Sequence, residues 1–195
     1  MRCLKVIIMN LFSDVKAAEV AAYFLSRSDG QLPVLKLMKL MYLAERESFK
    51  QHHFPIIGDY LVSMPHGPVL SLTYDRLNGN CRNTYMRELL SDKENYNISL
   101  KSNISINSDL KYLSKDDQNI LEEVWNEFGH MNKWEIRDYT HNGGCPEWSD
   151  PNGSSRPITY RDLFKALEFD EQTASSIEDY LNEESDIDSF FSNLV

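Results

Sequence analysis

Apolar residues recur at helical spacing on nearly every side of the stretch Leu35 to Glu45 (LKLMKLMYLAE). At roughly 100° per residue, Leu37, Leu40, Met41 and Ala44 share one face. Leu35, Met38 and Tyr42 widen it, leaving Lys36, Lys39, Arg46 and Glu47 to a polar wedge. A helix apolar over so much of its circumference needs several neighbours to cover it, which predicts the centre of a domain. Pro33 suits its first turn, where a missing N–H costs nothing, and the helix is expected to fray near His52-His53, before Phe54-Pro55.

The flanking patterns predict the covering elements. Asp14 to Ser26 reads as a first helix packing through Val20, Tyr23, Phe24 and its alanines, stopped by Asp29-Gly30. Asp59 to Met64 has strand composition, with Tyr60, Val62 and Met64 on one face. His66-Gly67-Pro68 then predicts a turn into a new helix, with Pro68 near its first position, Leu70, Tyr74 and Leu77 on one side and Asn78-Gly79 at its end. Cys81 to Leu110 is poor in helix signals. Alternation at Ile98 and Leu100, then at Ile104 and Ile106, predicts a hairpin turning at Ser102-Asn103. Three helix starts follow, at Ser114 with Asp117, Asn132 with Glu135, and Thr159 with Asp162, each a residue pair that satisfies orphan N–H groups reciprocally. The first of these helices buries Ile120, Leu121, Val124, Trp125 and Phe128, and His141 to Arg156 reads as a loop.

Beyond Phe169 a helix using Ala174, Ile177 and Leu181 is expected. No Lys or Arg follows Lys165, so residues 169–195 form an acidic helix and arm beside a globular domain over 1–168. Ile187, Phe190, Phe191 and Leu194 fall at amphipathic spacing among the arm's carboxylates. They either fold back on the domain or order on a partner. The fold class predicted is mainly helical α+β: a central buried helix wrapped by others, a small antiparallel sheet or hairpin, and the arm.

Composition narrows the function classes. A 42% hydrophobic and 26% charged chain of 195 residues is ordinary for one soluble domain, and no apolar run is long enough to cross a membrane. Arg2 and Lys5 before a short apolar run mimic a leader. Asn10 and Asp14 interrupt it, so Met1 to Ile8 are expected to be dispensable, with Met9 opening the segment that leads into the first helix. Cys3, Cys81 and Cys145 are odd in number and widely spaced, which points to a reducing cytoplasm. A formal charge of -10 argues against direct nucleic-acid binding and for a basic partner. His130, His141 and Cys145 supply three metal-type donors without zinc spacing. No nucleophile elbow or phosphate-cradling glycine loop occurs. A Cys145–His141 dyad is the one hydrolase arrangement available, and neither a cofactor nor a catalytic role is expected.

Leu37, Lys39-Leu40 and Tyr42, then Asp59, Gly67-Pro68-Val69 and Tyr74, then Thr140-His141 and Trp148 together resemble the SocA or Panacea domain antitoxins, including phage-associated GepA-like proteins. The resemblance spans about Ala17 to Ala166. Met38 stands where that pattern usually has Gln, and Ser63-Met64 where it often has Ala-Trp. The resemblance implies a non-enzymatic domain that binds and neutralises a cognate toxin. An adaptor delivering a partner to an ATP-dependent protease and a cytoplasmic hydrolase using the His141/Cys145 loop are the alternatives. The candidate partner-binding residues are Lys39, Tyr42, His66, Tyr74, His141, Trp148, Phe190 and Phe191. Each has a plainer role available: Lys39 reaching water or a carboxylate, Gly67-Pro68 setting a turn, and Trp148 anchoring a loop.

Overall fold

The computed structural model describes residues 11–80 and 84–192; Met1 to Ile8, Cys3 and Cys81 lie outside them. Helix α1 spans Asp14–Ser26, its start capped by the Ser13 side chain, which accepts the Lys16 N–H. Strand β1 (Gln31–Pro33) leads into the central helix α2 (Val34–His52). Between Val34 and Glu45 every α2 residue but Leu35 is buried, as the all-round apolar pattern requires. The helix ends at His53 in the left-handed conformation, where fraying is expected.

Around α2 the chain lays down β2 (Leu61–Met64), β3 (Gly67–Leu70), α3 (Ser71–Asp75), α4 (Thr84–Leu89), β4 (Asn97–Ser99) and α5 (Ile106–Asp109). Then come α6 (Lys115–Phe128), α7 (Lys133–Tyr139), β5 (Arg156–Pro157), α8 (Tyr160–Ala166) and α9 (Glu171–Ser192). Helices α1, α6 and α7 and strand β3 pack on α2. The strands make two small antiparallel sheets, one ordered β3-β2-β5 and one pairing β1 with β4, so the class is mainly helical α+β. All three reciprocal caps form: Ser114 with Asp117, Asn132 with Glu135, and Thr159 with Asp162.

Three local expectations are corrected. Pro68 does not open a helix; it lies in β3, opposite Ser63, and α3 begins at Ser71. An edge strand tolerates proline because no neighbour needs its missing N–H. Ile98 and Ile106 do not share a hairpin: β4 pairs with β1, so that Leu32 lies opposite Ile98 and both are buried, while Ile104 and Ile106 stay half-buried and Ile106 starts α5. Local alternation cannot distinguish a neighbouring partner from a distant one. Helix α4 also forms where helix signals are poor, burying Met86.

Buried carboxylates tie the loops to this frame. Glu19 of α1 accepts the N–H groups of Lys111, Tyr112 and Leu113 and the Tyr85 hydroxyl. Glu45 of α2 accepts those of Ile56, Ile57 and Gly58, and Asp59 those of Tyr60, Leu72 and Thr73. Burial nonetheless pushes the Glu45 carboxyl up to about 7, against the pull of its three N–H donors. Helix α9 packs Ala174, Ile177 and Leu181 into the common core and keeps Ser185 buried, while Ile187 is half exposed. Phe190 and Phe191 fall on its last turn, and their side chains lie outside the described residues. Among the described residues no helix is long and apolar enough to cross a membrane.

Candidate functional site

Helix α2 has no solvent-facing side over its first three turns, so its polar residues must find partners inside the protein. Lys39 is the sharpest case. It does not reach water through a polar wedge; it is 0% exposed, and its Nζ donates to the Pro68 carbonyl at 2.6 Å. Pro68 lies on the edge strand, so this carbonyl has no further strand to pair with, and Lys39 closes the edge from inside. Burial pulls the ammonium down to about 7. Lys36 takes a similar course, donating to the Gly129 carbonyl at 2.7 Å above the Trp125 ring.

Gly67 is required here. Its φ is +96°, and a Cβ would stand 2.7 Å from Thr140 Oγ1 and 2.8 Å from Lys39 Nζ. The strand therefore lies directly against both Lys39 and the turn Thr140–Gly144, which meet at the Gly67 Cα. That turn continues α7 and delivers His141, whose ring stacks on Trp148 with centroids 4.2 Å apart and planes 9° from parallel. Trp148 donates its indole N–H to the Met64 carbonyl at 3.0 Å, and the Ser149 N–H reaches Ser63 Oγ at 3.3 Å. The loop is thus pinned to β2. Burial, then the Lys39 and Arg137 charges, lowers the His141 pKa below its ordinary value, against the Asp138 carboxylate and a hydrogen bond to the His66 backbone. His141 Nε2 is buried without a hydrogen-bond partner.

One turn along α2, the Tyr42 hydroxyl donates to Glu147 Oε1 at 2.9 Å, and Arg46 Nε donates to the same oxygen at 3.0 Å. The Glu147 side chain is 0% exposed, so the Arg46 charge is what makes its burial tolerable. Burial, then the Glu147 carboxylate, pushes the neighbouring Cys145 thiol far up. A thiol so disfavoured as thiolate, flanked by a carboxylate, is the reverse of an activated nucleophile. Among the described residues no group of three or more His, Cys, Asp or Glu is placed to hold a metal ion.

Lys39, Tyr42, His141, Trp148 and the His66 turn are thereby gathered at one place, where α2, the β2–β3 hairpin and the His141 loop meet. His66 sits exposed at the hairpin tip. Tyr74 does not join them: it is half-buried on α3 against the core. Sequence reasoning missed Glu147, the acceptor for two α2 side chains. Lys39, Tyr42 and Arg46, at i, i+3 and i+7 among the apolar residues of α2, were the available signal that the helix has a polar seam.

The fold and this centre define a helical α+β domain in which buried polar side chains hold loops in place. The family model of antitoxin SocA-like proteins, Panacea domain, matches residues 37–149, and the chain belongs to that family. Neither a curated protein nor a solved structure matches it.

Proposed function

We propose that this chain is the antitoxin of a toxin–antitoxin pair and neutralises its cognate toxin in the cytoplasm by direct protein–protein contact, without catalysis of its own. The reading rests on family membership and on one observation: part of the motif residues, Lys39, Tyr42, Gly67-Pro68, His141 and Trp148, though not Tyr74, converge behind a single stretch of surface. That surface is the hairpin tip at Pro65-His66 and the loop from Asn142 to Pro146, all but Gly144 and Cys145 exposed. An internal centre that fixes two neighbouring loops prepares a surface for binding, because loops ordered in advance lose less entropy on association. The formal charge of -10 supports a toxin with a basic face, drawn in by the field of the whole molecule.

The test is co-expression in bacterial cells of this chain with the product of the adjacent reading frame. Growth arrest by that product alone, relief by this chain and recovery of a purified complex of the two are the expected results. A harmless neighbour, or relief without a complex, would overturn the reading.

A further inference from the structure

Trp134 is the exposed tryptophan among several exposed aromatics of the described residues: it is 48% exposed on α7, with Lys133 Nζ 5.1 Å and the Arg137 guanidinium 4.9 Å from its ring centroid. Trp134, Arg137 and His141 stand at i, i+3 and i+7, so α7 and the turn that continues it carry them along one side. The Arg137 charge acts on His141, His141 stacks on Trp148, and Trp148 lines a groove of about 380 Å³ that also takes in Arg156 and Lys165. These contacts make one ridge with aromatic and cationic character.

Its charge differs from that of the molecule: the pairs Arg137–Asp138 and Arg46–Glu147 cancel, which leaves Lys133, Arg156 and Lys165 against Glu135 and Asp162. The carboxylates along it are already committed: Glu135 and Asp162 close the caps of α7 and α8, Asp138 pairs with Arg137, and Glu147 is buried beneath Tyr42 and Arg46. Lys133, Arg156 and Lys165 have no ion pair among the described residues. An exposed Trp beside an Arg is the composition of energetically dominant interface positions.

The geometry points to this ridge as the docking surface for a segment of a partner protein that presents carboxylates beside an apolar side chain. The inference rests on the antitoxin reading for the identity of that partner and deepens it. The acidic bulk of the molecule attracts the partner's basic face from a distance, and the ridge selects an acidic segment at contact, which fixes orientation. Nucleic acid is disfavoured, because the remaining surface would repel its phosphates.

Short random peptides displayed on phage are selected against the purified full chain and then measured by fluorescence polarisation. Enriched peptides should pair Asp or Glu with Leu, Phe or Trp. Their affinity should fall by about tenfold or more in Trp134→Ala, and likewise in Arg156→Glu/Lys165→Glu, whose two side chains are exposed and whose thermal midpoint is measured beside wild type. Absence of enrichment, peptides indifferent to both variants, or basic peptides as the main class would overturn the proposal. So would light scattering that finds a dimer dissolved by Arg156→Glu/Lys165→Glu, since a second copy would then cover the ridge. The growth assay separates the two readings. Ridge variants that relieve arrest as well as wild type remove the ridge and leave the antitoxin; ridge-dependent acidic peptides beside a harmless neighbouring product remove the antitoxin and leave the ridge.

Discussion

Lys39 shows how one buried cation is accommodated. Its ammonium meets a carbonyl rather than a carboxylate, so burial dominates and lowers its pKa from 10.5 to about 7. A basic group with a depressed folded pKa contributes stability that is fully present above 10.5 and lost as pH falls through about 7. Between these limits the unfolded chain binds one proton more than the folded chain, which is worth roughly 1.4 kcal/mol per pH unit. Between about pH 7.5 and 9.5, where the Glu45 carboxyl has already titrated, wild type should therefore gain roughly 2 to 3 kcal/mol relative to Lys39→Met. Urea unfolding of both chains at the two pH values measures it. Parallel pH curves would mean that Lys39 stays charged in the fold. Gly67 belongs to the same argument, since the close approach of its Cα to Lys39 and Thr140 is what lets the strand shield the ammonium.

At the scale of elements, the short loops are held by buried carboxylates that accept runs of main-chain N–H groups. Glu19 ties the segment before α6 to α1 in this way. Glu19→Gln keeps the size but replaces one acceptor oxygen with a donor facing those amides. Leaving a buried donor unsatisfied costs about 1 to 3 kcal/mol. The expected outcome is a loss of that size in urea, with amide exchange accelerating at Lys111 to Leu113 more than in α2. Equal stability would show that the segment is held by Leu110 and Leu113 packing alone. These tethers were not legible in the sequence, because a Glu among the alanines of α1 looks like a surface residue until the chain about ninety positions later folds across it. The helix starts were legible, because each cap is completed within four residues of chain.

For the whole molecule, the question is how far the acidic end acts by charge and how far by packing. Ala174, Ile177 and Leu181 are core, and Arg161 pairs with Glu171 and Glu178, so α9 is anchored mainly along its first half, with Ser185 buried beyond it. A chain ending at Asp170 should melt well below wild type. One ending at Asn182 keeps all three core residues, loses Glu183, Glu184, Asp186 and Asp188, and moves from -10 to -6 in formal charge. Its midpoint should stay within a few degrees of wild type, a change of about 1 kcal/mol or less. Its association with the toxin should slow and lose salt sensitivity, with dissociation little changed, because exposed charge acts mainly on encounter. Stopped-flow binding at low and high salt reads this directly. An unchanged association rate would assign the steering to other carboxylates.

The sequence by itself determined what depends on near neighbours and on average burial. Helix α2 is central because its apolar residues leave no face for water, the caps of α6, α7 and α8 are local, and the ordered motifs from Leu37 to Trp148 are enough to recognise the family. Tertiary structure alone decided what depends on which distant segments meet. It paired β4 with β1 instead of with its neighbour, put Pro68 in an edge strand, and buried Lys39 against the carbonyl that edge left free. It also drew Glu147 under Tyr42 and Arg46 and left Trp134 outside. Periodicity tells a residue which side it faces, but not what will stand there. Whether a Lys in an apolar helix reaches water or a carbonyl is set by the packing of elements far away in the chain, and so is the exposure of a Trp at a helix start.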